Sequence, residues 1–269
     1  MKTKISILNY AFSVGKIRAL EKFLISQDIF QKAVEANLND ALRIFVEFGR
    51  YSEKLLFIKD SADLERVLNQ ESLNLKLLIK NLILDKGLFP ILELDNLKEI
   101  LEIVNTYGSS YLVEYFRYVI DMHNLKTFLR LYVTKEPEEK LKMNLVCGGF
   151  IKKEDFLKLY HQQISSLLRR LEYVYQKTRI VDYTHFFAEA IKKVFQENSF
   201  IALERAIQDF LIGVLKPAKY ITFGPEPVLA YYFAKTNEIN LIRMIILAKL
   251  NQFPEVLLKE RLNSVYAAR

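Results

Sequence analysis

A chain of 269 residues, 51% of them hydrophobic, can fill one large core or two ordinary ones, which excludes bulk disorder. Eight Gly, six Pro and no Trp leave few turn residues for a β-rich fold, so the expected class is all-α. Of the net charge of +7, nearly all is local, because residues 140–180 hold nine Lys or Arg against three acids. Such a stretch points to an acidic protein partner, an anionic surface or nucleic acid, with a solvated helix face as the plainer alternative.

In chain order, residues 1–50 read as two helices. Tyr10, Val14, Ile17, Leu20, Phe23 and Leu24 form an apolar stripe, and Asn39-Asp40 opens a second segment that Gly49 closes. Residues 51–95 give three short apolar segments, interrupted at residues 60–61, 69–72 and 87–90. Helices are expected over 95–105 and 110–120, and a short one begins at Glu136-Pro137. After the break at Cys147-Gly148-Gly149, residues 153–175 read as one long basic helix. A helix pair over 183–196 and 199–215 follows. The last part is punctuated by Pro217, Gly224-Pro225 and a turn at Asn237-Glu238, and a closing helix starts at Phe253-Pro254.

The chain is organised around residues 119–132. Leu125, Phe128, Leu129 and Tyr132 share one helix face, and Asp121 or Asn124 is placed to cap a helix start, so the stretch reads as the turn of a helical hairpin. Asn124-Leu-Lys-Thr-Phe-Leu-Arg130 has copies at Asn74-Leu-Lys-Leu-Leu-Ile-Lys80 and Asn240-Leu-Ile-Arg-Met-Ile-Ile246, which suggests repeated hairpins.

Motifs for bond chemistry are not found. No glycine-rich phosphate loop occurs, and His123, His161 and His185 lack metal-ligand spacing. Cys147, the single cysteine, rules out an intramolecular disulfide and fits a reducing compartment. Acid pairs such as Glu138-Glu139 sit among lysines, as solvated surface does. No secretory signal opens the sequence, and apolar runs such as 241–250 fall short of the ~20 residues that span a bilayer. The expectations are a cytoplasmic protein that is not an enzyme, with no cofactor, no metal and no small-molecule substrate.

Two stretches resemble the C subunit of A/V-type rotary ATPases (the d subunit of the vacuolar enzyme). One is Ile120-Asp-Met-His-Asn-Leu-Lys-Thr-Phe-Leu-Arg130 running on to Cys147-Gly-Gly-Phe-Ile151. The other is Glu226-Pro-Val-Leu-Ala-Tyr231 with Lys235, Glu238-Ile239, Arg243 and Lys249. The opening Tyr10-Ala-Phe with Arg18-Ala-Leu20 is similar to that family's first helix.

The resemblance implies a single helical, funnel-like body over residues 1–269 of three pseudo-repeated hairpin lobes, roughly 51–95, 96–182 and 183–269, with helices 1–50 packed on the last. The first copy is faint, with Glu71 and Lys80 where the second has Asp121 and Arg130, which leaves an abbreviated first lobe open. The implied function is a non-catalytic rotor connector, peripheral to the membrane, between the central shaft of the ATPase head and the proteolipid ring. Asp121, Asn124, Arg130, Glu238, Asn240 and Arg243 are the expected hairpin-turn residues, and Lys152, Lys153, Arg169 and Arg170 the expected partner interface. The competing reading is a basic helical-repeat protein that binds nucleic acid or an acidic partner. No nucleic-acid motif accompanies the charge.

Overall fold

The computed structural model describes residues 7–163, 165, 166, 169, 173 and 184–267, and every regular element among them is helical. The chain divides into two compact units, Met1–Leu92 with Ile212–Arg269, and Glu93–Leu211.

The first unit opens with α1 (Ala11–Glu21), which buries Val14 and Ile17 as the apolar stripe requires. α2 (Gln27–Glu35) and α3 (Leu38–Gly49) pack together through rings such as Phe30 and Phe45, whose centroids lie 5.8 Å apart. The cap of α3 is Asn37, two residues before the expected opening; its side chain accepts the Asp40 amide at 2.9 Å. α4 (Ser61–Leu82) is one helix capped by Asp60 that runs unbroken through the interruption expected at residues 69–72, with short 3-10 helices at Glu53–Phe57 and Lys86–Leu92 on either side. Leu64, Leu68, Leu75, Ile79 and Leu82 form its buried stripe. The polar run that suggested a break faces outward at Asn69 and Gln70, while Glu71 accepts the Ser52 amide at 3.0 Å.

In the second unit, α5 (Leu97–Tyr107) is capped by Asn96 and closed by Gly108, whose φ of 85° suits glycine. α6 (Ser110–Val133) is capped by Ser109 and packs on α5, α7 (Glu138–Asn144) and α8 (Lys153–Tyr160). Phe128 of α6 lies 5.7 Å from Phe156 and 5.9 Å from Tyr160, so an aromatic cluster joins α6 to α8. The helix expected over 153–175 ends at Tyr160, where the Tyr160 hydroxyl is drawn back onto the carbonyls of Leu131 and Glu136 at 2.9 and 2.6 Å. Most of the remainder of that span lies outside the described residues. α9 (Thr184–Glu197) and α10 (Ile201–Leu215) follow, and Phe210 meets Tyr118 edge-on at 5.1 Å.

The chain then returns to the first unit with α11 (Glu226–Leu250), packed on α1, α3 and α4, and ends in α12 (Glu255–Arg261).

The turns expected at Asp121–Asn124 and Asn237–Glu238 are not formed. α6 and α11 run unbroken through them, so Asp121, Asn124, Glu238, Asn240 and Arg243 are mid-helix residues and Arg130 lies in the last turn of α6. Short polar residues read as caps because they usually satisfy the amides of a helix start. Here the main-chain amides around them are bonded within the helix, and the side chains are free to reach other segments. Asn74, Asn124 and Asn240 do share a register, near the fifteenth residue of α4, α6 and α11. Their surroundings differ, since Asn124 is fully buried and the other two are exposed.

Candidate functional site

In the second unit, Arg117, Asp121 and Asn124 occupy one face of α6, at i, i+4 and i+7. Together they hold the loop between α7 and α8. Asn124 makes a two-way bond with the Val146 backbone, donating to its carbonyl at 2.8 Å and accepting its amide at 2.9 Å. The carboxyl of Asp121 accepts the amides of Phe150 at 2.9 Å and Ile151 at 3.1 Å, one on each oxygen. Arg117 donates to the carbonyls of Gly148 at 3.2 Å and Gly149 at 3.3 Å and lies over the Phe150 ring.

The glycine pair is what permits this approach. Gly148 has φ of 111°, and a Cβ on Gly149 would lie 2.0 Å from Asp121 Oδ1. Asp121 and Asn124 are both 0% exposed. Burial pushes the Asp121 carboxyl up to about 7, against the opposing pull of the two amides and of Arg117.

The first unit carries a second clamp on α11. Glu238 accepts the Ile25 amide at 2.7 Å and the Tyr51 hydroxyl at 2.7 Å, and it is ion-paired with Lys235. Lys235 also donates to the Gly49 carbonyl at 3.3 Å and sits over the Tyr51 ring. Burial, with Glu238 beside it, holds the Tyr51 hydroxyl well above the ordinary tyrosine range. Further along α11, Arg243 bonds Glu65 of α4 at 2.9 and 3.2 Å and Asn240 at 2.7 Å, and Lys249 donates to the carbonyls of Val34 and Ala36 that end α2. Asn237 accepts from Asn263 at 3.2 Å.

The opening motif has the same character. Tyr10's hydroxyl accepts the amides of Leu84 at 3.0 Å and Asp85 at 3.1 Å, and Arg18 donates to the carbonyls of Ala218 at 2.9 Å and Ile221 at 3.0 Å. The residues quoted for the resemblance thus bind loops to helices. Arg117, Tyr51 and Glu65 complete these clamps and were not singled out, because their partners lie far along the chain; Gly148 and Gly149 were read as a break and as part of the resemblance.

Part of the described basic stretch is engaged locally. Lys140 pairs with Glu136 at 2.8 Å, Lys142 with Glu138 at 2.5 Å, and Lys153 donates to the carbonyls of Lys142 and Leu145. The two glutamates stand just before residue 140, so a count beginning there misses them. Lys152 and Arg169 are exposed, and Arg170 lies outside the described residues. Arg130 pairs with Glu204 at 2.7 Å, both largely exposed.

Among the described residues no group of three His, Cys, Asp or Glu side chains is placed to hold a metal, and no helix is long and apolar enough to cross a membrane. What the clamps do is positional: each buried polar group fixes backbone that would otherwise be unpaired.

The C subunit of the V-type sodium ATPase of Enterococcus hirae is 28% identical over 149 residues, a match spanning 55% of this chain and 42% of that protein. The chain thus matches about two fifths of the relative's length. The family model described as ATP synthase (C/AC39) subunit matches residues 90–261, a span that contains both α6 and α11 with their clamps. With well over half its length inside that match, the chain belongs to the ATP synthase (C/AC39) subunit family.

Proposed function

We infer that the chain is a non-catalytic connector in the central stalk of an A/V-type proton- or sodium-translocating ATPase or ATP synthase. It joins the central shaft of the soluble head to the membrane proteolipid ring and passes torque between them. The observation that carries this reading is that a family match over residues 90–261 coincides with long helices whose polar centres are committed to internal backbone bonds. A torque-bearing part must resist local deformation, and close-packed helices with latched loops transmit strain. Three lobes belong to the same proposal, supported by the common register of Asn74, Asn124 and Asn240 in their helices.

Its partners are then the shaft subunits and the ring, and it works on the cytoplasmic side without substrate or cofactor. The proposed contact for an acidic partner surface is Lys152, Lys153, Arg169 and Arg170. Exposure of Lys152 and Arg169 supports a role for those two, while the local pairing of Lys140 and Lys142 leaves less free charge than nucleic-acid binding asks for.

Affinity purification of the full chain from its own cells tests the reading. Recovery of the shaft subunits and the proteolipid in fixed proportion is expected. Recovery of the chain alone, at low salt and in mild detergent, contradicts it.

A further inference from the structure

α1 is apolar on two opposite sides. Val14 and Ile17 face the core, while Leu8, Phe12, Gly15 and Ala19, at i, i+4, i+7 and i+11, line the outward face. Leu8 is 65% exposed and Phe12 77%, and Ala11 beside them is exposed as well. A helix with apolar residues on both sides is ordinarily enclosed between two layers. Among the described residues, the chain itself supplies a layer on the Val14 side and none on the other.

Gly15 gives the outward face its shape. A Cβ added there meets nothing within 4 Å, so no described neighbour requires the glycine, and inside a helix it costs stability relative to alanine. Ala11, Gly15 and Ala19, four residues apart, make a shallow channel beside the projecting Leu8 and Phe12. A second helix can approach closely over such a channel, because the side chains at the contact set the separation of packed helices.

The exposed charges around the face have one sign. Glu21, the acid of α1, is bound by Arg18 and accepts from the Tyr266 hydroxyl at 3.3 Å. Lys16 and Lys22 are exposed, as is Lys216, which opens the segment that Arg18 holds through Ala218 and Ile221. Among the described residues, none of these three lysines is paired with a carboxylate.

We propose that this face of α1 seats an amphipathic helix of another protein, whose apolar stripe lies over Ala11, Gly15 and Ala19 and is bordered by Asp or Glu. Helices are recognised in such seats through apolar anchors one turn apart, and opposite charges along the borders fix orientation and partner choice. A second copy of the chain fits the face less well, because an isologous contact would bring the lysines of both copies together. A bilayer fits it less well too, because Gly15 and Ala19 carry little apolar area into lipid. The face lies outside residues 90–261, the span of the family match.

Selection from a library of displayed helical peptides tests the seat. The peptides share a Leu and Ala stripe, and the positions bordering it are free to be Asp, Glu, Lys or Ser. Panned on the full chain at low salt, the library should yield peptides with Asp or Glu at the borders. Gly15→Leu fills the channel from an open position, and Phe12→Ser removes an exposed anchor. Each should weaken the selected peptides about tenfold or more in fluorescence anisotropy without lowering the thermal unfolding midpoint. Lys16→Glu with Lys22→Glu should weaken them too, by a margin that shrinks as salt rises. No enrichment over panning without the chain, borders rich in Lys or Ser, or equal affinity for the wild type and both channel variants would overturn the proposal. So would a chain that self-associates through Phe12 in sedimentation equilibrium, or one that floats with phosphatidylglycerol vesicles while selecting no peptide.

Discussion

Glu238 accepts the amide of Ile25 at 2.7 Å from 213 residues further along the chain, with both residues buried. The same carboxylate holds the Tyr51 hydroxyl and pairs with Lys235, so one side chain of α11 ties down the segments that follow α1 and α3. Glu238→Ala strands a buried amide and a buried hydroxyl and leaves the half-buried Lys235 ammonium without its carboxylate. Removing one member of such a pair costs about 3–5 kcal/mol. Glu238→Gln, which keeps an acceptor for one donor, should cost less. Urea unfolding midpoints for the two variants measure the difference.

Two glycines give opposite predictions. A Cβ on Gly149 would collide with the Asp121 carboxyl, so Gly149→Ala should lose about 1–3 kcal/mol through forced displacement. Gly15 lies inside α1 with nothing within 4 Å of its added Cβ, so Gly15→Ala should gain about 0.5–1 kcal/mol from lower unfolded-chain entropy. Thermal unfolding of both variants at one pH makes the comparison.

Global stability should also carry the imprint of Asp121. Its folded value is raised to about 7 from near 3.8 by burial, so the folded state binds the proton more tightly than the unfolded chain does. That contribution is complete below about pH 4 and is lost as the pH rises toward 7. Each tenfold difference in proton affinity is worth about 1.4 kcal/mol, so the loss is on the order of 2–4 kcal/mol in all. Comparing unfolding free energies at pH 5 and pH 7.5 in the wild type and in Asp121→Asn isolates it. The variant should lack this component of the slope.

The helical class was legible because it follows from composition, and the stripe of α1 follows from apolar spacing that any helix must bury. The partners of the polar residues were not legible. Asp121 and Asn124 read as caps because a sequence shows their local preference and not the loop 22 to 30 residues away that they bind. A break was placed at Asn237-Glu238 for the same reason, although the Glu238 ligands lie near residues 25 and 51. Familiar spacing of Lys235, Glu238, Arg243 and Lys249 supported the resemblance without revealing that each fastens α11 to an earlier part of its unit. Within the basic stretch, Lys140 and Lys142 are paired with Glu136 and Glu138, which stand one helical turn before them and outside the counted residues.

Reversing charge at Lys152 and Arg169 should leave stability within about 0.5 kcal/mol, since both side chains are exposed. Binding to the shaft subunits should weaken, with the loss shrinking as salt rises. Lys153→Glu should additionally lose stability, because its ammonium binds the carbonyls of Lys142 and Leu145. Titration calorimetry at two ionic strengths, alongside unfolding curves, separates the two effects.

The connector role is tested most directly by joining the two parts it is proposed to bridge. Purified central-shaft subunits and detergent-solubilised proteolipid ring are mixed with and without the chain and separated by sedimentation. The shaft is expected to sediment with the ring only when the chain is present, in a defined stoichiometry. Equal co-sedimentation without the chain, or a chain that binds neither part at micromolar concentration, would contradict it.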